Sequence, residues 1–148
     1  FGRYNLTYLD ADTPTDVEAT VARARAAQKE WRNTSFAERR DVLGRLMAYT
    51  VDHKDEIAAT IQRDSGKTAE NALIGEVWPT CEKFRWMIKN GEKHLRPEQV
   101  SSGLLLHKKA RLEYHPMGVV AAIIPWNYPY QNIVNPIIPA LPVAIFCL

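Results

Sequence analysis

Three absences narrow the reading of this sequence. Only two cysteines, Cys81 and Cys147, occur in 148 residues, which excludes a disulfide framework and fits a reducing compartment. No Gly-x-Gly-x-x-Gly occurs, so the glycine turn that seats a pyrophosphate on a helix N-terminus is missing. No Asp, Glu, Lys or Arg follows Glu113. That uncharged end resembles a membrane span in hydropathy. However, Pro125, Pro129, Pro136, Pro139 and Pro142 interrupt it, and each removes a backbone donor. The expectation is a buried strand, then irregular chain and short helical pieces. The net charge of +2 offers no electrostatic footprint for nucleic acid. His53, His94, His107 and His115 are scattered without metal-ligand spacing, and no metal is expected. The first residues lack the charged start and apolar core of a secretion signal. The chain opens on Phe1, and a fragment or processed form is expected.

With 46% hydrophobic and 24% charged residues, the composition is that of a soluble globular domain. Thr15 with Glu18 reads as a capping box, opening an amphipathic helix with Val17, Val21, Ala24 and Trp31 on one face. Ser35 with Glu38 is a second box. Val42, Leu46, Tyr49, Ile57 and Ile61 form the stripe that follows, broken near Asp52. Gly66 stands where a helix C-cap wants it. A further helix is expected from Glu70 to Lys89, kinked or restarted at Pro79 and ended by Asn90-Gly91. A hairpin is expected around His107 to Lys109, with Leu112 and Tyr114 alternating against Arg111 and Glu113. "GVVAAIIP", from Gly118, reads as a strand buried on both faces. Helices first and a buried strand last give an α/β protein.

Little chemistry survives comparison with plainer readings. Gly66-Lys67-Thr68 ends like a phosphate-binding loop, but Ile61 stands where the leading glycine belongs and a helix precedes it. A capped helix end explains it. Cys81 lies at an apolar helix position, and neither it nor Cys147 has the electropositive surroundings of a catalytic thiol. "HKKAR" is a solvated basic turn. Asn127 stands apart. An asparagine between two prolines can make its own backbone turn. Its amide at a strand's carboxyl end can also donate to an oxyanion, and ligand sites of open α/β sheets lie at those ends.

"HPMGVVAAIIPWNYP", "SGKT" after a helix, and "GEVWPTCEKFRW" together resemble the N-terminal part of the aldehyde dehydrogenase superfamily. The pairing of "TCEK" with "PWNYP" is most similar to its plant, algal and fungal branch. The resemblance covers about Pro14 to Leu141. It implies an incomplete Rossmann-like α/β fold: the N-terminal helices and first buried strands of the cofactor-binding region. It implies an oxidoreductase that converts an aldehyde to an acid with NAD or NADP. A cysteine thiolate attacks the aldehyde, hydride leaves to the nicotinamide, and a glutamate helps water hydrolyse the thioester. By this resemblance Asn127 is catalytic and holds the developing oxyanion. Ile123, Ile124, Pro125 and Trp126 lie along the dinucleotide, and Tyr128 lines the aldehyde's channel.

From Pro142 to Leu148 the chain departs from the family pattern. The cofactor lysine, the glutamate base and the nucleophilic cysteine are not matched in these residues. The implied partners are a small aldehyde and further protomers, and a cytoplasmic location is the default beside a membrane-anchored parent. Two other expectations stand beside the enzyme: a short non-catalytic isoform that binds full-length protomers, and a membrane-associated peptide. Isolated, the 148-residue chain is expected to be inactive and prone to aggregate through its unpaired strand.

Overall fold

Local signals set most of the helices. The structure, a computed structural model, describes residues 12–105 and 107–143, and the backbone of 146–147. Helix α1 (Pro14–Trp31) starts at a capping box formed by Thr13 and Asp16, not Thr15 and Glu18. Pro14 at the first helical position has no N–H to waste and favours the earlier start. Helix α2 (Phe36–Asp52) opens on the expected Ser35–Glu38 box. Helix α3 (Lys54–Ser65) follows the break near Asp52 and ends at Gly66, whose φ of 72° is left-handed. Gly66 thus closes a helix, as the plainer reading held.

The stripe on α2 is one position off the sequence reading. Its buried residues are Arg39, Leu43 and Thr50, whereas Leu46 and Tyr49 are exposed. Two members of the true face are polar, so hydrophobicity alone points to the wrong side.

The next helix also departs from expectation. Helix α4 (Ala69–Ala72) passes into a π-helical turn, Leu73–Val77, and then into α5 (Trp78–Leu95). Pro79 lies in the first turn of α5, directly after the π-helical turn, where the helix changes its hydrogen-bond pattern around the missing N–H. Asn90-Gly91 does not end the helix. Gly91 is buried, and a Cβ there would sit 2.7 Å from the Met87 sulfur, so this glycine serves close packing and not a turn.

Strands β1 (Glu98–Val100) and β2 (Ala110–Leu112) form an antiparallel hairpin with Glu98 opposite Leu112. Its first strand lies earlier than a turn at His107 to Lys109 implies, and Leu112 and Tyr114 are exposed where a half-buried strand is expected. The strand expected to be buried on both faces is corrected. Strand β3 covers only Val119–Val120, half-buried, and Ile123 beyond it is fully exposed. It pairs in parallel with β4 (Phe146–Cys147), and no other described strand flanks the pair. An apolar run can only be as buried as the elements laid against it.

The proline-rich end is corrected too. It holds a three-turn helix, α6 (Pro129–Ala140), with Pro136 and Pro139 inside. The lost donors are offset by burial of Val134 and Ile138 against Leu43 and Phe84. A second cluster joins Ala58, Ile61, Ala72 and Val77, and Tyr130 packs against both. The result is a helical layer of α2, α3, α5 and α6, with α1 against the β3–β4 pair.

Candidate active site

The segment after β3 has no regular secondary structure from Ala121 to Pro125, turns at Trp126 and Asn127, and enters α6. This places Asn127 beyond the carboxyl end of a parallel strand. Its side chain is exposed, as are those of Ile123, Ile124, Pro125, Trp126 and Tyr128. Trp126 is 77% exposed. The predicted residues therefore lie together on one continuous surface strip instead of inside a cleft.

What fixes that strip lies beneath it. Helix α6 has no capping residue of its own, since Tyr128 makes no side-chain cap. Its free amides at Tyr130 and Gln131 donate to Glu76 Oε2, at 2.9 and 3.2 Å. Glu76 is 0% exposed and sits in the π-helical turn. A carboxylate is the favoured group at the positive end of a helix dipole. Its other oxygen accepts from Lys67 Nζ at 2.6 Å. The same ammonium lies 3.6 Å from the centre of the Tyr128 ring. On the near side of the turn, Asn132 Nδ2 donates to the Pro125 carbonyl at 3.1 Å.

The far end of α6 is also held from outside. Trp31 Nε1 donates to the Leu141 carbonyl at 3.2 Å and Arg39 Nη1 to the Pro142 carbonyl at 2.9 Å. Arg39 further binds Thr34 Oγ1 and the Arg32 and Thr34 carbonyls. The Tyr130 hydroxyl shares a 2.6 Å hydrogen bond with Thr50 Oγ1.

Sequence reasoning missed Glu76, Lys67, Arg39 and Asn132. Glu76 could have been flagged as a lone charge inside the apolar helix segment "LIGEVW". Cys81 is half-buried, and burial pushes its thiol pKa up, so at neutral pH it stays a thiol and not a nucleophile. The side chain of Cys147 lies outside the described residues. An open recess of about 320 Å³ lies between α2, α3 and α6, lined by Tyr49, His53, Ile57, Tyr130 and Ile133, but Asn127 is not among its walls. Among the described residues no group of His, Cys, Asp and Glu could hold a metal, and no helix is long and apolar enough to cross a membrane.

An exposed amide at the carboxyl end of a parallel strand, backed by a helical layer, is the layout of a ligand site in an open α/β sheet. The model of the aldehyde dehydrogenase family matches residues 3–144, and the chain belongs to that family.

An aldehyde dehydrogenase-like protein of Schizosaccharomyces pombe is 42% identical over 128 residues, which are 86% of this chain and 24% of that protein. One of Saccharomyces cerevisiae is 38% identical over 144 residues, 95% of this chain and 22% of that protein. The chain thus spans about a quarter of the length of these curated relatives. A succinic semialdehyde dehydrogenase from Streptococcus pyogenes, in complex with NADP+, matches with a TM-score of 0.86 at 23% identity, over 96% of this chain and 30% of that one. An aldehyde dehydrogenase from Bartonella henselae matches with a TM-score of 0.80 at 26% identity, over 90% and 27%. The fold is the α/β fold of the N-terminal part of these enzymes.

Proposed function

We propose that this segment belongs to an NAD(P)-dependent dehydrogenase that oxidises an aldehyde to a carboxylic acid, and that Asn127 is its oxyanion donor. The observation that carries the reading is the placement of Asn127. The only amide side chain between Gly118 and Tyr130 is exposed beyond the carboxyl end of β3, in a turn held at both ends. Its NH2 can donate to the aldehyde oxygen as negative charge builds on it. The dinucleotide, when bound, supplies the hydride acceptor. Ile123, Ile124, Pro125 and Trp126 supply an apolar strip for it, and Tyr128 borders the aldehyde's approach. The residues from Phe1 to Leu148 are read as part of the cofactor-binding region.

The test is an NAD and NADP reduction assay on the longest natural form of the protein with a panel of aldehydes. Asn127→Ala is expected to lower kcat by about 10²–10³, the usual effect of losing one oxyanion donor. An unchanged kcat would overturn the role. The isolated 148-residue polypeptide is expected to turn over none of the aldehydes. A second reading, a non-catalytic partner of longer protomers, is favoured by the apolar strip and the open edge of the β3–β4 pair. Co-purification of the isolated chain with a longer relative is its test.

A further inference from the structure

We infer that Lys67 and Glu76 are positioning residues for the Asn127 turn: one partly buried ion pair sets where α6 begins and so where the Asn127 amide points. The inference rests on the oxyanion reading of Asn127. Glu76 has three partners, and two of them are the amides of the second and third residues of α6. Pro129, the first helical residue, has no amide to offer, so Glu76 meets the first donors this helix has. Lys67 is the third partner, and it also covers the ring of Tyr128, the residue next to Asn127. A single ammonium therefore links the carboxylate behind the turn to a side chain in the turn. The Asn132 bond to the Pro125 carbonyl fixes the other side. Asn127 lies between the two fixed points.

The backbone at Glu76 fits this role. The π-helical turn widens the helix there and buries two consecutive residues, Glu76 and Val77. Val77 joins the apolar cluster, while Glu76 faces α6. Such turns recur at functional sites. Buried ion pairs contribute little net stability over an apolar pair of the same volume. What this pair adds is direction: charge-assisted bonds of 2.6 and 2.9 Å define a geometry that apolar packing leaves looser. Oxyanion donors must be held within about 0.5 Å of their working position, and a 1 Å error costs roughly 10²-fold in rate.

The experiment compares Lys67→Met, Lys67→Arg and Glu76→Gln with Asn127→Ala. Glu76→Gln keeps an oxygen for the α6 amides but loses the ion pair, and it guards against a fold-breaking change. Two readouts are taken. The first is amide hydrogen exchange at Tyr130 and Gln131, relative to Leu43 in α2. The second is kcat and KM per folded molecule, in the longest natural form. Expected for Lys67→Met and Glu76→Gln are at least tenfold faster exchange at Tyr130 and Gln131 than at Leu43, kcat lowered 10–100-fold, and KM nearly unchanged. Lys67→Arg should restore most of the kcat. If Asn127→Ala abolishes turnover while Lys67→Met and Glu76→Gln only lower the melting temperature, the positioning role is wrong. If Asn127→Ala leaves turnover intact, the oxyanion reading fails, and the positioning role falls with it even where exchange quickens.

Discussion

Thr80 is fully buried in α5, and its hydroxyl has no hydrogen-bond partner among the described residues. A buried hydroxyl in that state costs roughly 1–3 kcal/mol. Thr80→Val keeps the shape and removes the unmet group. It is expected to raise the melting temperature by about 2–4 °C, equivalent to ~1 kcal/mol in a domain of this size, as read by thermal unfolding. A lower melting temperature would mean that the hydroxyl is satisfied after all. At this scale the sequence was legible where a residue acts on its neighbours, as Ser35 and Gly66 do. Glu76 and Arg39 were not. Glu76 reaches partners 54 and 55 positions away, and Arg39 reaches Pro142, 103 positions away. The apolar neighbours of Glu76 mark it as unusual, but nothing next to either residue names its distant partners.

Each of the first two helices is anchored by a reciprocal box whose acid has a lowered pKa. For Glu38 the Ser35 backbone N–H is the main cause and the Ser35 hydroxyl the next. For Asp16 the Thr13 hydroxyl leads and the Thr13 N–H follows. The unfolded chain takes up these protons first as pH falls, so stability rises with pH in that range. The stabilisation is fully present above about pH 4.5, the ordinary value for Glu38, and is lost as pH drops through the folded value. Glu38→Gln retains a capping side chain without a titrating group. It is expected to flatten part of the acid-side loss of stability, measured as urea midpoints between about pH 6 and pH 3. An unaltered slope would show that the box does not titrate with folding. Both helices were readable in advance, though for α1 the box lies at Thr13 and Asp16 and not at Thr15 and Glu18. Helix α6 was not, because Pro136 and Pro139 argue against any helix and its ends are satisfied by Glu76, Trp31 and Arg39 from other elements.

Among the described residues, the buried core lies in the helical layer, while apolar side chains on the β3 side are exposed. Leu43, Phe84, Val134 and Ile138 are buried together, whereas Met117, Ile123, Ile124 and Trp126 are exposed along the β3 side. The "GVVAAII" run was legible as apolar, but its burial depends on neighbours that the sequence cannot supply from within that run. The isolated 148-residue chain is expected to bind a hydrophobic dye and to elute larger than a monomer, because open edges and apolar strips pair with one another. A monomeric elution with a cooperative melt would refute this. The anchoring of α6 has a genetic consequence. The helix is held by Glu76, Trp31, Arg39 and its own apolar face, while Ile123, Trp126 and Asn127 lie outside that support. If the proposed roles of these three positions hold, alleles there are expected to be separation-of-function alleles. A selection for protein abundance would pass over them, and a selection for turnover would find them at once.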